Sequence, residues 1–283
     1  MAPLSVYQQP IHMSQDNTNN NCRVIVVTSG KGGVGKTTTT ANIGAGLAER
    51  GCRVVLIDAD TGLRNLDLVL GLENRIMYDL VDVVSGRVPF KKALVRHKKH
   101  ETLYLLPTSQ TKDKMAVSPE DVVKLCSEMR PDFDYIIIDC PAGIEQGFKT
   151  AVAAADTALI VTIPEVSAVR DADKIIGELN RAGKEDIRLI VNRIRPQMVE
   201  RGEMLDLDDI NDILAIKCIG QIPDDEMVVI STNRGEPVID NKASKAGQAY
   251  KNITGRLCGE DIPFMSFKVE KSFFSILESY FKR

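Results

Sequence analysis

The sequence predicts an α/β fold, in which a mostly parallel, doubly wound sheet carries helices on both faces. Short runs rich in Val, Ile and Leu alternate with helical segments along the chain. Apolar runs of this kind, without polar alternation, are typical of strands buried on both faces. The first run leads directly into a glycine-rich loop and a helix. Several later runs end in a carboxylate or an amide, at the edge where open parallel sheets place ligands.

The composition limits the class of protein. The 283 residues include 36 Lys and Arg against 39 Asp and Glu, which argues against binding nucleic acid through overall charge. The six cysteines are widely spaced and form no Cys-x-x-Cys pair, which suits a reducing compartment and gives no metal-binding spacing. No apolar run approaches the roughly 18 residues of a transmembrane helix. We expect one large α/β domain that is soluble or binds to a surface.

The glycine-rich loop fits the phosphate-binding pattern G-x-x-x-x-G-K-[ST] from Gly30 to Thr37. Glycines let several backbone N–H groups converge on one anion, and the helix that follows adds the positive end of its dipole. Lys36 supplies a full charge for the β- and γ-phosphates, and the Thr37 hydroxyl can bind Mg²⁺. An apolar strand over 23–28 and a helix over 38–50 flank the loop in the required order. That order disfavours the alternative, a glycine-rich turn without a ligand.

Two further strands are predicted to bring carboxylates to the same edge of the sheet. The strand 53–57 is followed by Asp58 and Asp60, whose side chains face the same side because they lie two residues apart. A divalent cation would offset their repulsion, and an Asx turn is the alternative explanation. A later strand of four apolar residues ends in Asp139. This is the Walker B layout, in which a buried strand places a carboxylate beside Mg²⁺.

The remaining elements continue the alternation. The strand 187–191 ends at Asn192, whose amide offers a donor and an acceptor for the edge of an adenine ring. The strand 216–222 ends before Pro223. The other predicted elements are a helix over 78–84, a strand over 103–106, a helix over 119–129, a strand over 158–162 and a helix over 243–257.

A basic cluster precedes Glu101, with no acidic residue in between. Its members are Arg87, Lys91, Lys92, Arg96, His97, Lys98, Lys99 and His100. A solvated helix face explains such a cluster most simply. A patch that binds anionic lipid or nucleic acid is the alternative.

The two ends of the chain differ from the predicted nucleotide-binding domain, residues 22–260. Residues 1–21 are polar and contain no Lys or Arg. We expect a disordered tail there, with a transit sequence as the alternative. After a linker over 261–270, residues 271–283 are predicted to form an amphipathic helix. Its apolar face, about 160° wide, contains Phe273, Phe274, Ile276, Leu277, Tyr280 and Phe281. Packing on its own domain is one interpretation, and reversible binding to a membrane surface fits its aromatic content better.

A second lysine, Lys31, directly follows the first glycine of the loop. Residues 31–37, Lys-Gly-Gly-Val-Gly-Lys-Thr, resemble the deviant Walker A ATPases, the group that contains MinD, ParA, the nitrogenase iron protein and the arsenite-pump ATPase. In that group this lysine crosses the interface of a dimer that encloses ATP, and the resemblance implies the same for Lys31.

Other stretches resemble the MinD family of division-site ATPases in particular. They are Thr-Gly-Leu-Arg-Asn-Leu-Asp at 61–67, Leu-Pro-Thr-Ser-Gln-Thr at 106–111, Asp-Cys-Pro-Ala-Gly-Ile-Glu at 139–145, Pro-Glu-Val-Ser-Ala-Val-Arg-Asp at 164–171 and Gly-Glu-Pro-Val at 235–238. With the aromatic C-terminal helix, the resemblance extends from about residue 23 to residue 283.

The resemblance implies an ATPase with ATP and Mg²⁺ as ligands. The nucleotide-binding residues it implies are Lys31, Gly32, Gly33, Val34, Gly35, Lys36, Thr37, Thr38, Asn192 and Pro223. Thr37, Asp58 and Asp139 would hold Mg²⁺ and its water shell. Asp60 would position the attacking water, and Lys31 and Lys36 would act on the phosphates.

The resemblance also implies partners and a location. These are a second copy of the chain in an ATP-dependent homodimer, a MinC-like division inhibitor and a MinE-like regulator, both bound at Arg170, Asp171 and Asp173, and a lipid surface. The location would be the cytoplasmic face of the inner membrane or the stromal side of a plastid. A ParA-like partition ATPase is the alternative, although it would need a basic DNA-binding surface. An iron–sulfur carrier would need cysteines facing an interface, and only Cys140 lies near the site.

Overall fold

A computed structural model of the protein describes residues 22–60, 65–109 and 117–266. They form one eight-stranded sheet in the order β3-β4-β2-β5-β1-β6-β7-β8, parallel except where β3 runs antiparallel to β4. The doubly wound α/β prediction is confirmed. The strands are β1 Arg23–Thr28, β2 Val54–Asp58, β3 Val95–Arg96, β4 Leu103–Leu106, β5 Tyr135–Asp139, β6 Thr157–Thr162, β7 Asp186–Ile194 and β8 Lys217–Pro223.

The helices connect these strands. They are α1 Lys36–Glu49, α2 Leu66–Val69, α3 Leu80–Val84, α4 Phe90–Ala93, α5 Pro119–Met129, α6 Gln146–Val152, α7 Val166–Arg181, α8 Pro196–Glu200, α9 Leu207–Leu214, α10 Glu226–Asn233 and α11 Lys245–Leu257. Short 3₁₀ turns cover Glu73–Arg75 and Val238–Asp240.

The core lies on both faces of the sheet, as the continuous apolar strands predict. Along β1, Ile25 and Val27 face α1 and α11, while Val24 and Val26 face α5, α6 and α7. Successive strand residues point to opposite faces, so a strand covered on both sides must be apolar at every position. All four of these valine and isoleucine side chains are fully buried. This packing fixes the carboxyl edge of the sheet, where the phosphate loop (residues 30–37) lies.

The structure corrects three details of the sequence interpretation. The sheet has an eighth strand, β3, which two residues are too few to reveal by periodicity. Strand β7 continues beyond Val191, so Asn192 lies within the strand and not at its end. The expectation of a helix face for the basic cluster is wrong. Only α4 is helical there, followed by β3 and a turn in which His97 and His100 are buried.

Several predictions fall outside the described residues. The N-terminal tail, part of the loop at 61–67, most of the loop at 108–113 and the whole helix 271–283 are among them, so their predicted structures stay predictions. The domain boundaries stay predictions as well. Within residues 22–60, 65–109 and 117–266, no helix is long and apolar enough to cross a lipid bilayer.

Candidate nucleotide-binding site

The phosphate loop connects β1 to α1 and takes its shape from its glycines. Gly33 and Gly35 have φ angles of 78° and 98°, a left-handed conformation that residues with a Cβ atom rarely adopt. A Cβ atom on Gly35 would lie 2.4 Å from Nδ2 of Asn192. That amide donates a hydrogen bond of 2.8 Å to the carbonyl oxygen of Val34. The loop is therefore held from β7 as well as by its own sequence.

The first glycine of the loop has a different role. A Cβ atom on Gly30 would lie 2.3 Å from the backbone oxygen of Asp171 on α7. A separation below 3.0 Å requires backbone movement, because the obstructing atom is not a flexible side chain. Gly30 thus lets the phosphate loop touch α7 directly. This contact joins the loop to the helix that carries the predicted partner residues.

Helix α1 begins at Lys36 and directs its first polar side chains toward β5. The Thr37 hydroxyl donates to Oδ2 of Asp139 at 2.7 Å, and the Thr40 hydroxyl donates to Oδ1 at 3.0 Å. Lys36 is 8% exposed. The predicted grouping of Lys36, Thr37 and Asp139 is therefore present, and Thr40 joins it. Sequence reasoning missed Thr40, although its position one turn after Lys36 indicated the same helix face.

Asp58 and Asp139 lie side by side, because β2 pairs with β5 in a register that aligns these two residues. Both are 1% exposed. Burial raises the pKa of Asp139 to about 6, although hydrogen bonds from Thr37 and Thr40 and the charge of Lys36 act in the opposite direction. Burial first, and then the charge of Asp139, raise the pKa of Asp58 well above its ordinary value. Burial and mutual repulsion therefore disfavour the state in which both carboxyl groups are ionised.

These side chains fit a Mg²⁺ ion. Mg²⁺ takes oxygen ligands and is usually bound by one or two carboxylates, with water and phosphate oxygens completing its shell. Thr37, Asp58 and Asp139 supply one hydroxyl and two carboxylates. Oδ2 of Asp58 is buried and has no hydrogen-bond partner among the described residues. A cation or its bound water would satisfy this atom and offset the repulsion within the pair.

Asp60 and Lys31 contact different parts of the chain. The backbone N–H of Asp60 donates to Oδ1 of Asp58 at 3.0 Å, which fixes Asp60 just beyond the carboxyl end of β2. The Lys31 ammonium lies 3.3 Å from Glu165 and 3.4 Å from the hydroxyl of Ser167, both beside the start of α7. The side chains of Lys31 and Glu165 are 43% and 54% exposed. Lys31 is thus held by its own subunit at the surface, a contact that the sequence did not indicate.

The predicted adenine contacts lie beside a cleft. Pro223 is the last residue of β8, and Oδ1 of Asn192 accepts the N–H of Arg193 at 2.9 Å. The cleft has a volume of about 660 Å³ and lies between the start of α7 and the segment 193–209. Both polar ends of the Asn192 amide bind within the chain, so its role toward adenine stays a prediction.

The predicted partner residues lie along α7. Arg170 and Asp173 are exposed, and Asp171 is half-buried, with Lys174 2.9 Å from its Oδ1 atom. The apolar side of the helix, including Ala172 and Ile175, is buried against the sheet. The charged face is therefore available, and its role in binding a partner stays a prediction.

Comparison with known proteins decides the family. Residues 25–238 match the family model described as the CobQ/CobB/MinD/ParA nucleotide binding domain. Over 246 residues the chain is 56% identical to the septum site-determining protein MinD of Synechocystis, which covers 87% of this chain and 92% of that protein. The chain belongs to the MinD family.

Solved structures of MinD proteins share this fold. The MinC:MinD cell division protein complex of Aquifex aeolicus matches with a TM-score of 0.82 and 51% identity, over 87% of this chain and 100% of that one. The septum site-determining protein MinD of Pyrococcus horikoshii, complexed with Mg-ADP, matches with a TM-score of 0.76 and 30% identity, over 83% and 96%. The resemblance to the MinD family is confirmed.

Proposed function

We propose that this protein is a Mg²⁺-dependent ATPase that helps to place the division site by cycling between solution and a membrane, where it recruits a division inhibitor. The observation that carries the proposal is the convergence of Lys36, Thr37, Asp58 and Asp139 beneath the phosphate loop. Its similarity to a septum site-determining protein MinD and to a MinC:MinD cell division protein complex supports the cellular role.

The proposed reaction transfers the γ-phosphoryl group of ATP to water, a reaction in which positioning and electrostatics supply most of the rate. The loop N–H groups and Lys36 bind the phosphates. When bound, Mg²⁺ supplies positive charge to the phosphate oxygens. Asp60 orients the attacking water, and its N–H bond to the carboxylate of Asp58 holds it next to the metal ligands.

Lys31 completes the site across a dimer interface in this proposal. To reach a facing subunit it must leave Glu165 and Ser167. Exposed ion pairs contribute only about 0–1 kcal/mol, so contacts made in the dimer can replace this one at little cost. Lys31 would therefore pair with Glu165 and Ser167 in the single subunit and contact the nucleotide of the other subunit in the dimer.

The proposed partner surface is the charged face of α7. Because Gly30 touches the backbone of Asp171, a change in the phosphate loop on nucleotide binding reaches this helix directly. We assign the MinC-like and MinE-like partners to Arg170, Asp171 and Asp173 on this basis and on the family resemblance.

Membrane binding is assigned to the helix predicted over 271–283, on the inner face of a bacterial membrane or the stromal face of a plastid membrane. One such helix is marginal alone in water because of its length. An ATP-bound dimer presents two helices to one surface, and linking two binding events can raise affinity by roughly 10²–10⁴. ATP would thus control membrane association through dimerisation.

Two variants test the enzyme assignment. Lys36→Ala should abolish ATP binding, because it removes the buried charge that faces the phosphates. Asp60→Ala should retain binding and lose hydrolysis. Nucleotide binding is measured with a fluorescent ATP analogue and turnover by phosphate release. Hydrolysis at the wild-type rate in Asp60→Ala would contradict the role of Asp60, and unchanged ATP affinity in Lys36→Ala would contradict the site.

A further inference from the structure

A second cleft, of about 360 Å³, lies away from the phosphate loop. It is formed by the turn between β3 and β4, the turn after α2 and the loop after α10. The turn at 97–100 precedes β4, so it lies at the amino edge of the parallel strands, opposite the phosphate loop. In the sheet, β3 and β1 are four strand spacings apart, or roughly 19 Å. This cleft is therefore separate from the nucleotide site.

The rim of the second cleft carries cations that lack carboxylate partners. Lys98 and Arg234 line it, are exposed, and form no ion pair within the described part of the chain. Asp240 also lines it, but its carboxylate is engaged by His100 at 3.0 Å and by Lys99 at 3.1 Å. Glu236 is the other carboxylate of the lining. The lining therefore contains three cations against two carboxylates, a small excess of positive charge in a chain whose net charge is −3.

The wall of the cleft includes a buried donor, His97, which is 6% exposed. Its Nδ1 atom accepts the backbone N–H groups of Lys99 at 3.2 Å and His100 at 3.1 Å. Because Nδ1 accepts, the ring hydrogen of neutral His97 lies on Nε2. Burial first, and then His100, lower the pKa of His97 to about 4, so the ring is neutral at pH 7. The hydrogen bonds to the ring from the described residues both reach Nδ1, and His97 lines the cleft.

The floor of the cleft is a close contact between two backbone turns. Gly71 and Gly235 have φ angles of 62° and 65°, and a Cβ atom on Gly71 would lie 2.7 Å from the carbonyl oxygen of Gly235. Only residues without a Cβ atom permit this approach. Gly235 begins the Gly-Glu-Pro-Val stretch that resembles the MinD family, and the nucleotide site does not explain it. The contact gives the cleft a preformed floor.

We propose that this second cleft binds a phosphate group, carried either by a small soluble ester or by a lipid headgroup. Lys98 and Arg234 supply charge-assisted hydrogen bonds to phosphate oxygens, which are stronger than neutral ones. Neutral His97 adds a donor from the wall. The volume of about 360 Å³ lies at the lower end of the range for ligand pockets, about 300–1,000 Å³, which suits a phosphate with a short organic group. A nucleic acid would need a longer row of cations than these.

The three histidines of the chain allow a direct test, because histidine-selective isotope labelling yields signals only from His12, His97 and His100. The full chain is saturated with ADP, so that the phosphate loop is filled. It is then titrated with inorganic phosphate, with glycerol 3-phosphate and with phosphatidylglycerol vesicles, each against sodium chloride or phosphatidylcholine vesicles at matched ionic strength. The imidazole resonances of His97 should shift saturably with the phosphate ligands and not with chloride.

A pair of double variants separates the second cleft from general surface charge. Lys98→Gln with Arg234→Gln should weaken phosphate binding by about tenfold for each lost cation. Lys92→Gln with Arg96→Gln makes the same change of charge on exposed residues outside the cleft and should leave binding intact. Saturation with glycerol 3-phosphate assigns the phosphate to a soluble ester. A response to phosphatidylglycerol vesicles alone assigns it to a lipid only if the Lys98→Gln, Arg234→Gln variant loses that response, because residues 271–283 are themselves proposed to bind the vesicles. Equal shifts with chloride, or unchanged binding in the cleft variant, would overturn the proposal.

Discussion

Replacing Asp139 with asparagine should change how stability depends on pH, because the buried carboxylate pair favours protonation. The pKa of Asp139 is about 6 in the folded chain against an ordinary value of 3.8. Between pH 3.8 and pH 6, Asp139 is therefore mostly ionised in the unfolded chain and mostly protonated in the folded chain. Stability from Asp139 is therefore fully present below about pH 4 and is lost as the pH rises through 6.

The magnitude follows from the size of the pKa difference. A pKa difference of about two units changes the contribution of Asp139 to the free energy of unfolding by about 3 kcal/mol in total. About 1.4 kcal/mol of that change occurs between pH 5 and pH 8. His97 acts in the opposite direction. Its pKa is lowered, so its contribution grows as the pH rises through 4 toward 6.5. The difference between Asp139→Asn and the wild type removes the contribution of His97 and of every other group that Asp139 does not affect. Asp58 does not cancel, because the charge of Asp139 helps to raise its pKa, and it adds to the difference in the same direction.

Urea unfolding at several pH values, with EDTA present, measures this difference. The free energy of unfolding of Asp139→Asn should rise by at least about 1.4 kcal/mol relative to that of the wild type between pH 5 and pH 8. Asp209→Asn is a suitable control, because Asp209 belongs to a surface capping box on α9 away from the pair. A free-energy difference between Asp139→Asn and the wild type that does not change with pH would refute the reasoning.

Three further predictions concern coupling, partners and the membrane. Gly30→Ala should weaken ATP binding and lower stability by about 1–3 kcal/mol, because its Cβ would collide with the backbone of Asp171; unchanged ATP affinity and thermal unfolding would contradict this. Reversing the charges of Asp171 and Asp173 should weaken binding of the division inhibitor in a pull-down with ATP while turnover is retained, and equal loss of nucleotide binding would indicate misfolding instead. Phe274→Glu or Leu277→Glu should release the protein from liposomes without changing nucleotide-driven dimerisation, and sedimentation of the wild type that is equal with ADP and ATP would show that dimerisation is not the switch.

The sequence by itself determined the elements whose signals are local. Glycine spacing before Lys36 predicted the phosphate loop, since the chemistry of an anion cradle needs those residues next to one another. Continuous apolar runs predicted strands buried on both faces, and the end of each run placed Asp58 and Asp139 at the ligand edge. These inferences needed no knowledge of which strands are neighbours.

Only the tertiary structure decided which distant residues meet. The position of β5 between β2 and β1 sets Asp139 beside Asp58, and no local pattern encodes that order. Likewise, Asn192 reaches Val34 from another strand, and α7 lies against Gly30. Each contact joins segments far apart in sequence, so it depends on the packing of the whole sheet.

The basic cluster shows most clearly why a local pattern cannot decide some structures. A run of cations suits an exposed helix or an exposed turn equally well, because water solvates the charges in both. Burial of His97, and of His100 against Asp240, selected the turn. Asp240 lies far along the chain, and only folding brings its carboxylate to His100.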